Sequence, residues 1–384
     1  MKRPEVIALG VGAAGFAAWA FGGDHSRRHA LAYLIAYAFA VSIPLGALAW
    51  TMVCDACGAT WLVPLRRGTE SITAAFPALA LLFLPILMNL HALYPWVQAP
   101  PDQANDAGVV AGWHAWLQPA GFALRAGLCF AVWIAIAEMQ RRWSLCQELP
   151  GAPDLTHRRR ALSAAALLPF AFTVTCAAFD WYMSLETSWR STIYGLLHLS
   201  GMAAAGASVL IMYLHWARRA GRLPTAVGAE HTHALGNLLL TSVLLWAYLS
   251  VMQLLVVWMA DLPDEAAWYV PRIAGTWGAI GIALILLHAI APWMLLLFRR
   301  VKRDTRSLAC VAVLVLGAHW LDLYWQLAPA VTPDDARPVA ADAFALVAVL
   351  GGALALALWR ARGVAAFPLN DPDLAAGLTY RSHA

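Results

Sequence analysis

Ten apolar runs dominate the chain, at 5–21, 30–53, 74–94, 119–138, 161–183, 191–217, 235–260, 272–298, 308–328 and 339–359. About 20 apolar residues in a helix rise ~30 Å, the thickness of a bilayer's hydrocarbon core. Backbone groups in hydrocarbon must bond one another, so such runs are expected to fold as helices. Composition agrees. Charged residues make up 12% of the 384, against ~25% in soluble domains, and 61% are hydrophobic. The fold expected is all-α, a polytopic membrane protein with one integral domain over 1–367 and a polar cytoplasmic tail over 368–384.

The first run, preceded by Lys2 and Arg3 and ending near Ala18-x-Ala20, has features of a cleaved signal peptide. Its core is long for that role, and retention is the preferred reading. A linker over 95–118, rich in Pro, Asp, Gly and Trp, suits a short interfacial helix around Trp113 and Trp116.

The net charge of +4 sits in short clusters between the runs. This pattern carries orientation information and does not look like a nucleic-acid footprint. Arg141, Arg142 and Arg158 to Arg160 lie between the fourth and fifth runs, with Arg218, Arg219 and Arg222 between the sixth and seventh. Arg299, Arg300, Lys302, Arg303 and Arg306 follow the eighth. The intervening loops hold Asp102, Asp106, Glu186, Asp261, Asp264, Glu265, Asp334 and Asp335. Positive residues stay inside, which predicts both termini in the cytoplasm. Arg27 and Arg28 dissent, falling in the first outer loop.

Ionisable groups inside a bilayer cost at least ~2.5–3.5 kcal/mol on insertion scales and call for an explanation. Asp180 ends the fifth run, Glu186 follows in a tight loop, and His198 lies early in the sixth. In the ninth run His319, Asp322 and Gln326 recur at helical spacing and share one face. Gln253, Arg125 and His91 stand at comparable outer depth. Facing inward, these groups would form one hydrated pocket. Each also has a plainer reading: Asp180 as a helix cap, Glu186 as a wet loop carboxylate, the histidines as hydrogen-bonded packing residues. Nearer the inner side stand Glu70, Glu138 and His215, with His288 more central, and Thr173, Thr175 and Ser208 are the available rungs of a partial proton path between the two sets.

Metal and nucleotide chemistry find little support. Cys54 and Cys57 form a single CxxC, and Gly58 stands where a c-type haem motif needs His. His231 and His233 lie in a basic loop without nearby acidic or Cys partners. No GxSxG, HExxH, Walker or dinucleotide motif occurs.

The stretch Asp180-Trp-Tyr-Met-Ser-Leu-Glu186, continuing through Trp189 and Ser191-Thr-Ile-Tyr-Gly195, resembles a signature of the polysulfide-reductase-like (NrfD-like) membrane subunits. More closely, it is similar to a member of that family in alternative complex III, the bacterial quinol:cytochrome c oxidoreductase: the one standing beside a sister subunit on which the quinol site is generally placed. A second matching stretch includes Trp246, Gln253, Trp258, Leu262-Pro-Asp-Glu265, Trp268, Arg272 and Arg299 to Arg303. His319-Trp-Leu-Asp-Leu-Tyr-Trp325 and Leu65-Arg-Arg-Gly-Thr-Glu70 complete a colinear set over most of residues 60–330.

The resemblance implies ten helices in two four-helix bundles plus two peripheral helices, in the bacterial inner membrane. It implies no redox cofactor in this chain. Iron–sulfur clusters and haem belong to partner subunits: an iron–sulfur protein, multihaem cytochromes c and a sister membrane subunit. Quinone or quinol is a candidate ligand, with Gln253, Arg125 and His91 as a candidate pocket, and Asp180, Glu186, His198, His319 and Asp322 become the candidate proton path. One departure stands at Ala234 and Asn237, where the family usually has Asp and Lys. Proton uptake through that pair is in doubt here.

Overall fold

The computed structural model describes residues 3–22, 26–98 and 116–382. Lys2, Asp102, Asp106 and Trp113, and with Trp113 most of the expected interfacial helix, lie outside them.

Among the described residues ten helices are long and apolar enough to span a bilayer. They are α1 (Pro4–Phe21), α2 (Arg27–Ala56), α3 (Thr60–Met88), α4 (Pro119–Cys146) and α5 (Thr156–Trp181). Then follow α6 (Tyr194–Arg219), α7 (Ala229–Ala260), α8 (Gly275–Leu297), α9 (Thr305–Leu327) and α10 (Ala340–Arg360). Two begin before the apolar run with a polar side chain capping them. Ser26 Oγ accepts the His29 N–H ahead of α2, and Asp304 accepts the Ser307 N–H at 2.8 Å ahead of α9.

Prolines shape two of the spans. In α3 the helix is interrupted at 74–75 and 82–83, just before Pro77 and Pro85. Proline lacks an N–H and crowds the carbonyl four residues back, so each break falls in the preceding turn. In α8 the turn over Ile285–Ile290 widens to π geometry, immediately ahead of Pro292. That places His288 inside a locally unwound segment.

Helices α2 to α5 close one four-helix bundle and α6 to α9 a second. The bundles meet at α2 against α6, and α2 is the most enclosed span, with 94% of its apolar window buried. The seam depends on two glycines. A Cβ on Gly46 would come 1.8 Å from the Met202 carbonyl oxygen, and one on Gly206 would come 2.3 Å from the Ala47 nitrogen. No side chain fits there. Peripheral α10 lies on α2 and α3, and α1 packs on α10.

Ion pairs mark the two ends of the molecule. Glu5 at the start of α1 pairs with Arg362 just after α10, at the end carrying the basic loops. At the opposite end Arg28 pairs with Asp342 at the start of α10, and Arg27 Nε donates to the Leu93 carbonyl at 3.2 Å. The two dissenting arginines are therefore neutralised or hydrogen-bonded by neighbouring helices. Pairing removes much of their weight as orientation signals.

The tail folds back onto the basic end. Asp371 is buried between Arg66 of α3 and Arg159 of α5, which also share Asp55 of α2. Further along, the Gly377 carbonyl meets His231 Nε2 at 2.9 Å, and the Ser382 N–H donates to Glu230.

Candidate functional site

The polar groups expected in the outer half separate by partner into three sets. Asp180, at the end of α5, is buried and accepts from Arg125 Nε at 2.6 Å and from Trp116 Nε1 at 2.7 Å. The Arg125 guanidinium also lies 4.2 Å over the Trp116 ring. This carboxylate is bound to an arginine and an indole, an arrangement different from a helix cap.

Glu186 pairs with Arg272, which lies in the connection between α7 and α8. Arg272 is fully buried, stacks 3.7 Å over Trp268, and donates to the carbonyls of Trp268 and Gln326. Burial lowers its pKa, opposed by the facing Glu186. A guanidinium that is buried, paired and stacked serves as a brace between the α7–α8 connection and α9.

The third set lies inside the second bundle. His319 on α9 faces Ser42 on α2, with Nε2 3.0 Å from the hydroxyl oxygen. Ser42 Oγ donates its own proton to the Phe39 carbonyl at 2.7 Å, so it accepts from His319 Nε2–H. The other nitrogen, Nδ1, is buried without a hydrogen-bond partner. It rests against Gly201 of α6, where a Cβ would approach the ring to 2.9 Å. One turn along α9, Asp322 is buried and accepts from Trp246 Nε1 at 3.0 Å. Trp246 in turn stacks on His288 at 4.0 Å between ring centroids.

His288 has both ring nitrogens buried and unpartnered, and its ring centroid lies 6.1 Å from that of His319. His198 is held between Tyr182 and Tyr194, at 4.7 and 4.6 Å, with Nε2 unpartnered. Gln253 and Gln326 are buried, each with a side-chain oxygen lacking a partner. His91, three residues past the end of α3, is exposed. Arg125, Gln253 and His91 are thus respectively ion-paired, buried on α7 and exposed.

Toward the basic end, Glu138 pairs with Arg142 and Arg360, and Glu70 with Arg67 at 2.6 Å. Thr173 accepts from Trp133, Thr175 bonds its own helix, and the buried Ser208 hydroxyl has no partner. Among the described residues no group of three His, Cys, Asp or Glu is placed to hold a metal.

Sequence reasoning missed Ser42, Gly201 and the contact of His288 with Trp246. It gave no role to Trp246 or Arg272. Pro292, four residues after His288, was the available signal for the widened turn. Ser42 had no comparable signal, because its importance comes from a helix 277 positions away.

No family model matches this chain, and no curated protein matches it. The described residues define an all-α polytopic membrane protein, with ten helices among them long and apolar enough to span a bilayer.

Proposed function

We propose that this protein is a membrane component of a respiratory quinol-oxidising complex of the alternative complex III type, and that it carries protons through its second bundle. The observation supporting the proton role is the enclosure of His288, His319 and Asp322 together, with three histidine nitrogens lacking partners. Unpaired polar atoms in a membrane interior are costly, so their retention favours function over packing. Histidine exchanges protons near neutral pH, and a buried carboxylate can be brought into that range.

His319 holds one proton toward Ser42 and presents a bare Nδ1, which makes it the receiving group. The His288 ring, 6.1 Å away between centroids, is the next titratable group along this line. Asp322, one turn away, is the opposing acid. Asp180 and Glu186, held by arginines, steady the outer ends of the helices. In this reading quinol is oxidised on the sister subunit, electrons pass through iron–sulfur and multihaem partners, and the basic end faces the bacterial cytoplasm.

The test uses the complex purified from its native membrane through this chain. Iron–sulfur and multihaem subunits should co-purify. Asp322→Asn and His319→Gln should keep the assembly and reduce proton release per quinol oxidised. Unchanged turnover and release in both variants would remove the proton role. Reduced assembly with normal activity in the remainder would identify a scaffold.

A further inference from the structure

Ser42 stands on α2, in the first bundle, yet the ring it holds belongs to the second. The close seam between the bundles makes this reach possible. Gly46, one turn along the same face of α2, rests on the Met202 carbonyl of α6, where even a methyl group would collide. That approach brings the buried Ser42 hydroxyl to within 3.0 Å of His319 Nε2 on α9. Serine has a short side chain, so the backbone spacing decides whether the bond forms.

The other walls around this ring are fixed as well. Gly201 of α6 lies against it: a Cβ there would come 2.9 Å from Cε1 and 3.1 Å from Nδ1. The Phe39 and His288 rings stand 6.0 and 6.1 Å away between centroids. Ser42 gives its own proton to the Phe39 carbonyl at 2.7 Å, so toward the imidazole it is an acceptor. A neutral imidazole that donates from Nε2 carries its lone pair on Nδ1.

We propose that Ser42 is a positioning residue that holds neutral His319 in the Nε2–H form, while Gly201 leaves the ring room to stay seated against that hydroxyl. The inference rests on the proton-carrying reading and deepens it: a residue of the first bundle sets the state of the receiving group in the second. With Nε2 closed by Ser42, His319 takes up and gives back a proton at the Nδ1 edge alone, beside α6.

The full chain, labelled with nitrogen-15 histidine, is studied by NMR in detergent at about pH 8, above the ordinary range of histidine. The His319 signals are those lost in His319→Gln. In the unaltered chain the Nε2–H form should dominate. Ser42→Ala should lower the ratio of Nε2–H to Nδ1–H by about tenfold, the worth of one hydrogen bond, and Ser42→Thr, which keeps the hydroxyl, should restore it. In the purified complex Ser42→Ala should reduce proton release per quinol and Ser42→Thr should not. A dominant Nδ1–H form in the unaltered chain would overturn the proposal, and so would an unchanged ratio in Ser42→Ala. Normal proton release in Ser42→Ala beside reduced release in His319→Gln would overturn the positioning role. Normal release in His319→Gln would instead remove the proton-carrying reading, with the NMR ratio still deciding what Ser42 does to the ring. If Ser42→Ala does not fold, the tautomer of the unaltered chain decides.

Discussion

Arg28 and Asp342 meet in a two-pronged ion pair, with Nη1 2.9 Å from Oδ1 and Nη2 2.5 Å from Oδ2, joining the first turns of α2 and α10. Asp342 is buried and also accepts the Val339 N–H at 2.8 Å. Removing one partner of a buried pair strands the other charge. Arg28→Ala is expected to destabilise the protein by roughly 3–5 kcal/mol. The double variant Arg28→Ala/Asp342→Ala should lose less. Thermal unfolding in detergent measures both, and additive losses would show that the pair is not coupled.

The seam between the bundles gives a steric prediction. Gly46→Ala places a methyl group against backbone, which cannot move aside as a side chain can. It should abolish folding or separate α2 from α6. Gly10→Ala on α1, where a Cβ meets nothing within 4 Å, should be neutral or slightly stabilising. Expression and monodispersity after purification compare the two directly.

Asp180 and Asp322 should respond differently to the same change. Asp180→Asn leaves the Arg125 cation without its counter-charge and should cost roughly 3–5 kcal/mol. Asp322→Asn keeps an oxygen that can accept from Trp246, so stability should change by less than ~1.5 kcal/mol while the proposed proton transfer is lost. Melting temperature and proton release, measured on the same samples, separate the two effects.

Asp304 supplies a pH-dependent cap. Hydrogen bonds from the Ser307 hydroxyl and backbone N–H hold its pKa below the usual 3.8. The folded-state value is depressed, so the cap contributes fully above the unfolded pKa and is lost as pH falls through the folded one. Asp304→Ala should cost ~0.5–2 kcal/mol at pH 6. The difference from the unaltered protein should shrink below about pH 3.8. A gap that stays constant to pH 2.5 would contradict this assignment.

The spans were readable because hydropathy is a local property of the chain. Each of the ten runs became a helix, and at α2 and α9 the earlier start coincides with the caps Ser26 and Asp304. Pairings were not readable. Nothing near Arg28 in the sequence points to Asp342, 314 positions away, and Arg272 gave no sign that it would hold Glu186. The shared face of His319 and Asp322 was legible from helical spacing, whereas its neighbours Ser42, Trp246 and His288 come from three other helices. Asp180 was expected in one pocket with Arg125, His198 and His319; its side-chain contacts are with Arg125 and Trp116, set by how α4 approaches α5.

Asp371 leaves the ribosome after all ten spans have been made. Before it docks, Arg66 and Arg159 crowd around Asp55 with one positive charge in excess. The arrival of this late aspartate balances that excess, so the final fit of α2, α3 and α5 at the basic end waits on a segment made after α10. A chain truncated ahead of it would hold every span through α10 with its basic end still unlatched.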